Sequence, residues 1–73
     1  MIVSVKSPLP GKVYEYWVKE GEEVSKGDVV VVVESMKMLN EILSEVDGVV
    51  KELVAPENEY VAVNADLVKI ETK

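Results

Sequence analysis

The sequence predicts an all-β protein, a small sandwich or flattened barrel. Three observations carry that prediction. Breaker and turn residues recur every few positions, at Pro8, Pro10-Gly11, Gly21, Gly27, Asp47-Gly48 and Pro56, and leave no room for a helix of useful length. The purest apolar run, Val29 to Val33, is five β-branched residues in a row. Period alone allows a buried helix or a buried strand there, but β-branching favours the strand. Finally, the second half of the chain repeats the first at a constant offset of 37 residues, without gaps.

Taken in order, Ile2 to Lys6 is short and β-branched and reads as a first strand. Ser7-Pro8-Leu9-Pro10-Gly11 must stop it, because proline fixes φ and removes a backbone donor. Lys12 to Lys19 carries Val13, Tyr14, Tyr16, Trp17 and Val18 and reads as a second strand, with the core-facing aromatic left open by imperfect alternation. Glu20-Gly21-Glu22 and Val24 to Asp28 are turns. Val29 to Val33 is a strand apolar on both faces, so its second face should also be covered. Leu39 to Leu43 is the returning strand, although Leu39, Ile42 and Leu43 also fit a helix. After the Asp47-Gly48 turn, Val49 to Val54 is a strand, Ala55 to Asn58 breaks it, and Leu67 to Glu71 closes the chain.

The repeat lays Gly11 on Gly48, Val13 on Val50, Glu15 on Glu52, Val24 on Val61, Val31 on Val68 and Glu34 on Glu71. It also lays Gly21 on Asn58 and Gly27 on Asn64. Asparagine is the residue that most readily shares glycine's left-handed region, so these pairs predict conserved backbone geometry under a changed side chain. Two like halves in one small domain imply a pseudo-two-fold axis. The same shift carries Lys37 just past the C-terminus or just before Met1, so the Lys37 turn and the paired termini should occupy equivalent places.

Composition removes whole classes of function. With 73 residues the chain is expected to be a single domain, residues 1–73, near the size where one core barely suffices. It has no cysteine and no histidine, which excludes disulfides, Cys-His and Ser-His-Asp catalysis, and the usual zinc sites. All eight basic residues are lysine, so the bidentate phosphate grip of arginine is missing. A net charge of −6 repels nucleic acid and anionic membranes. No stretch is long and apolar enough to span a bilayer, no signal-peptide pattern opens the chain, and a cytoplasmic protein is the expectation. Lys12 after Pro10-Gly11 does not make a phosphate loop, because Lys6 stands where the first glycine belongs. Trp17 and the tyrosines are read as core or rim packing rather than a base-stacking surface.

Near the middle of the chain stands Glu34-Ser35-Met36-Lys37-Met38, between the valine run and the returning strand. A lysine at a turn tip is ordinary; two methionines beside it are not, since exposed apolar side chains gain nothing from water. Lys37 is read as presented for modification. Two readings of Met36 and Met38 stay open. Strand alternation would turn both inward to the core, whereas an exposed pair would offer an adaptable, polarisable surface to a partner.

With that motif on a hairpin between two like halves, the chain resembles the biotin carboxyl carrier, or biotinyl, domains of biotin-dependent carboxylases and decarboxylases. The family motif Glu-Ala-Met-Lys-Met is matched by Glu34-Ser35-Met36-Lys37-Met38, with serine for alanine. Pro8-Leu9-Pro10-Gly11 and Glu20-Gly21-Glu22-Glu23-Val24-Ser25-Lys26-Gly27-Asp28 match two further family segments. Between Val13 and Gly27 there is no room for the inserted thumb of some bacterial members, so the likeness is to the thumbless type. The resemblance implies a flattened barrel of two four-stranded sheets and a non-catalytic carrier. It implies biotin held covalently by Lys37, with Met36 and Met38 as further cofactor-binding residues. The partners it implies are a biotin protein ligase and the biotin carboxylase and carboxyltransferase or decarboxylase subunits. The related lipoyl domains share fold, repeat and hairpin lysine, but their motif is typically Asp-Lys-Ala. Met36 and Met38 therefore carry most of the discrimination from a lipoyl carrier. An unmodified β-sandwich interaction domain is the third alternative.

Overall fold

The computed structural model describes residues 1–72; Lys73, the last residue of the expected domain, lies outside the described residues. Eight strands follow one another: β1 (Ile2–Lys6), β2 (Gly11–Tyr16), β3 (Glu23–Val24), β4 (Val29–Ser35), β5 (Met38–Leu43), β6 (Gly48–Leu53), β7 (Tyr60–Val61) and β8 (Asp66–Thr72). They form two four-stranded antiparallel sheets, one in the order β1-β8-β6-β3 and the other β5-β4-β2-β7. The expected fold class is observed. No helix among the described residues is long and apolar enough to cross a membrane.

The offset of 37 carries β1 onto β5, β2 onto β6, β3 onto β7 and β4 onto β8, and so exchanges the two sheets. Each half of the sequence contributes two strands to each sheet. The backbone obeys the same symmetry. The Gly21 amide donates to the Val50 carbonyl (2.8 Å) and its counterpart Asn58 to that of Val13 (2.7 Å). Gly27 donates to Ser44 (2.8 Å), and Asn64 to Ser7 (2.7 Å). All four turn residues have positive φ: 89° and 96° at the glycines, 71° and 68° at Asn58 and Asn64. The asparagine substitutions keep the turn because their short polar side chains tolerate the left-handed region.

The core lies between the sheets and is built from counterpart pairs. Val13 and Val50, Val31 and Val68, Val30 and Leu67, and Val33 and Ile70 are all buried. Ser7 and Ser44, also counterparts, are buried, and each hydroxyl donates to the carbonyl two residues on. The breaker cluster after β1 and the turn after β5 are thus tied down alike, with no buried side-chain polar atom left unpaired among the described residues.

Two sequence expectations change, and one left open is resolved. The strand predicted over Lys12 to Lys19 stops at Tyr16. Beyond it the chain turns Val18 into the core and closes a tight loop in which the Glu22 amide donates to the Lys19 carbonyl (3.1 Å). Strands β3 and β7 are two residues each, too short to leave a periodic pattern, and Val24 of β3 falls in a segment read as a turn. Leu39 to Leu43 is the returning strand expected, and the helical alternative falls away, because β4 pairs with it from Ser35–Met38 to Val29–Leu43.

Tyr16 is the aromatic that faces inward. Its hydroxyl donates to the Ala55 carbonyl (2.6 Å), with the Leu67 carbonyl at 3.1 Å, and accepts from the Ala55 amide (3.2 Å). It ties β2 of one sheet to β8 of the other. Burial raises the Tyr16 pKa above the usual 10.0; the Ala55 backbone hydrogen bond opposes that, and the Glu57 and Glu59 carboxylates add to it.

Two predictions follow from this packing. A Cβ at Gly48 would collide with the Glu71 carbonyl and lie 2.8 Å from Ile70 Cγ2, whereas Gly21 has open space around it. Gly48→Ala should cost about 1–3 kcal/mol of stability through overpacking, and Gly21→Ala only its left-handed strain of about 1 kcal/mol; equal urea midpoints would contradict the close approach. Tyr16→Phe should cost about 1–3 kcal/mol at neutral pH by leaving buried backbone groups unpaired. Because the folded pKa is raised, the neutral phenol's contribution is complete below pH about 10 and lost as pH rises through the folded value. The stability gap between wild type and Tyr16→Phe should therefore narrow in alkali, as measured by denaturant titration on both sides of that pH.

Candidate functional site

The β4–β5 hairpin closes with Ser35 opposite Met38, which leaves Met36 and Lys37 as a two-residue loop. Both loop residues are left-handed, with φ of 53° and 64°. Positive φ at both central positions is the primed turn whose twist matches antiparallel strands. That turn usually takes Asn-Gly. An ordinary L-residue in this region costs roughly 1–2 kcal/mol, and here two consecutive side-chain-bearing residues are held in it. Asn40 braces the hairpin base, its side-chain amide within reach of the Val33 (3.2 Å) and Met38 (3.3 Å) carbonyls. On the other flank Gly11 packs directly on the Glu34 carbonyl, and Lys12 Nζ stands 3.7 Å from the Glu34 carboxylate.

Lys37 stands exposed at the tip, and among the described residues its amine has neither a hydrogen bond nor an ion pair. Met36 is 93% exposed and Met38 67%. The inward, core-packing reading of the methionines is corrected: Met36 is a turn residue, which the alternation of a strand does not reach, and Met38, although first in β5 and in step with buried Ile42, stands at the hairpin end outside the core cluster. All three residues singled out from the sequence therefore meet on one solvent-facing turn. Pro10 and Gly11 of the breaker cluster lie against the same turn, and with Tyr60 they line a shallow groove beside it. Asn40 and Tyr60 carried no signal in the sequence, because both act by cross-strand placement. The repeat explains the position of the turn: Thr72 and Met1 are the counterparts of Ser35 and Met38, and the Thr72 amide donates to the Met1 carbonyl (2.9 Å).

This arrangement can do one chemical thing well. It offers a primary amine, free of partners among the described residues, on a stiff mount, where an acyl group could be joined to it. A carboxyl-bearing cofactor joined there by an amide fits the donor present and meets no steric wall at the tip.

The biotin/lipoyl family model, described as "Biotin-requiring enzyme", matches residues 3–70. The chain belongs to the biotin/lipoyl attachment family. Among curated relatives, it is 37% identical over 70 aligned positions to the biotin carboxyl carrier protein of chloroplastic acetyl-CoA carboxylase 2 from Arabidopsis thaliana, covering 86% of this chain and 28% of that protein. It is 45% identical over 49 positions to the methylmalonyl-CoA decarboxylase gamma subunit of Veillonella parvula, covering 67% of this chain and 38% of that protein. The chain thus spans well under half the length of these relatives. The Kluyveromyces lactis urea carboxylase superposes on 97% of this chain, and on 6% of its own, with a TM-score of 0.92 at 20% identity. That likeness concerns the fold.

The strain in the turn is testable. Replacing Met36-Lys37 by Asn-Gly should raise stability by about 1–2 kcal/mol, since the new residues suit φ > 0. An unchanged or lower urea midpoint would show that the loop holds no such strain.

Proposed function

We propose that Lys37 carries covalent biotin and that the domain is a biotin carboxyl carrier of a multi-subunit carboxylase or decarboxylase. The observation that carries this reading is the isolated, fully presented Lys37 amine on a strained two-residue turn between Met36 and Met38. The carrier relatives in both carboxylases and decarboxylases support it. In the unprotonated form, the Lys37 Nζ lone pair attacks the ATP-activated carboxyl carbon of biotin in a biotin protein ligase. A C–N bond forms, the bond to the activating group breaks, and the amine gives up a proton. The modification takes the net charge from −6 to −7, as 14 acidic residues then face 7 basic ones.

Once attached, biotin supplies a site for reversible carriage of a carboxyl group. The chain's own residues do the mechanical work. The left-handed turn aims the Lys37 stem away from the sheet, Asn40 and the β4–β5 ladder keep its base rigid, and the flanking thioethers adapt to successive partner surfaces. The lysine stem adds reach. Tethering makes each encounter between a biotin carboxylase and a carboxyltransferase or decarboxylase effectively intramolecular. No general base is needed on the carrier.

Incubation with biotin protein ligase, ATP and biotin should give one biotinyl adduct by intact mass, absent in Lys37→Arg. A parallel reaction with lipoate and its ligase should give none. A lipoyl adduct alone would move the domain to oxo-acid dehydrogenase or glycine-cleavage chemistry, and no adduct in either would leave an unmodified β-sandwich interaction domain.

A further inference from the structure

The pseudo-two-fold axis supplies an internal control: what the fold requires on the outer face of one sheet, it requires at the counterpart positions of the other. The two faces differ. On the β1-β8-β6-β3 sheet, Lys6, Lys51 and Lys69 face outward and pair with Asp66 (2.9 Å), Glu71 (3.1 Å) and Glu52 (3.9 Å). Their counterparts on the β5-β4-β2-β7 sheet are Leu43, Tyr14 and Val32. Trp17 stands where the other sheet has Val54. Leu39 and Ile2 are apolar on both. Three lysines are thus three apolar residues on the sheet that bears Lys37, and a valine is a tryptophan.

Val32 decides how this face is used. It is 4% exposed yet outside the core cluster between the sheets. It lines a shallow groove on the outer face with Tyr14, Trp17 and Leu39. Those three are 48%, 52% and 54% exposed, so they cover Val32 and still present about half of their own surface to solvent. The valine run's second face is covered, as its sequence implies, but by side chains that themselves lack cover. The fold does not need Tyr14 over Val32, because their counterparts Lys51 and Lys69 are lysines; Trp17 and Leu39 keep the apolar counterparts Val54 and Ile2.

The rim is acidic. Glu15 and Glu41 line the same groove, and Glu34, which Lys12 pairs at 3.7 Å, sits opposite Leu39 in the β4–β5 ladder. An apolar centre ringed by carboxylates, on a chain of net charge −6, repels a second copy of itself and suits an apolar recess ringed by lysine or arginine. The face is continuous with the modification turn, since Leu39 follows Lys37 by two residues on β5.

We infer that the Tyr14–Trp17–Val32–Leu39 face is the docking surface for the biotin protein ligase, which meets it with an apolar recess ringed by basic side chains. The inference rests on the biotinylation of Lys37. The ligase is the occupant because it must bring Lys37 Nζ itself, only one side chain from the backbone, to its reacting centre. Sites that use the finished arm work at the end of a longer tether and need less of the domain.

The test substitutes each residue by its counterpart, which the fold accepts elsewhere. Tyr14→Lys and Trp17→Val, alone and together, would be compared with wild type in steady-state biotinylation at saturating ATP and biotin, with thermal melts to confirm folding. The expected result is a KM raised about tenfold or more, with kcat held, because Lys37 and its turn are untouched. Glu15→Gln is a milder second variant: it should raise KM a few-fold and flatten the rise of KM with salt. Wild type biotinylated with the same KM as the folded variants would overturn the docking surface and leave the carrier reading intact. Wild type not biotinylated would overturn the carrier reading itself, and this inference with it. A dimer in sedimentation that Tyr14→Lys dissolves would assign the face to a second copy and also overturn it.

Discussion

The structure depends on the burial of two central strands, β4 and β8, against each other's sheets. Val30, Val31 and Val33 from one and Leu67, Val68 and Ile70 from the other are all essentially removed from water within one cluster. At roughly 1.5–3 kcal/mol for each fully buried aliphatic side chain, these six dominate the favourable side of folding. Neither strand could bury its own residues within its own half of the sequence. β4 lies between β5 and β2, and β8 between β1 and β6, so each half must complete the other. In a chain of this size, with no disulfide, that reciprocity is what makes one core sufficient.

The strained turn is a consequence of that stability. Two left-handed residues in succession would not persist in an isolated hairpin. Here they close a ladder that runs the length of β4 and β5, and β4 is paired on its other edge to β2. Close packing beneath the turn adds to this. Gly11 lets β2 approach the Glu34 carbonyl as Gly48 lets β6 approach that of Glu71, so the same contact supports the Met36-Lys37 turn and the paired termini. Symmetry built the mount, and the Met-Lys-Met sequence made one of its two ends chemically distinct.

Asymmetry is where function enters the repeat. The turn lysine has no counterpart inside the chain. The outer face beside it replaces ion-paired lysines by Tyr14, Val32 and Leu43. Tyr16 and its counterpart Leu53 both pack on the core, but only Tyr16 carries a hydroxyl to link the sheets. The turn lysine and the apolar outer face are thus departures that the repeat does not require, whereas the Tyr16 hydroxyl is a departure that serves the fold.

The sequence by itself determined the all-β class, the two-fold repeat, the glycine and asparagine turns and the presence of a Met-Lys-Met turn between the halves. All of these are local: β-branching, φ preference and a short motif are properties of neighbouring residues. Only the tertiary structure decided the rest. It cut the second strand at Tyr16, added β3 and β7, and chose strand over helix for Leu39 to Leu43, because pairing partners far along the chain set those boundaries. It left Met36 and Met38 exposed, Met36 because a turn has no alternation to obey and Met38 because it opens β5 at the hairpin end, outside the core cluster. And it put Tyr14, Trp17, Val32 and Leu39 on one face, which no reading along the chain can do, since residues on three separate segments become neighbours only when the sheet forms.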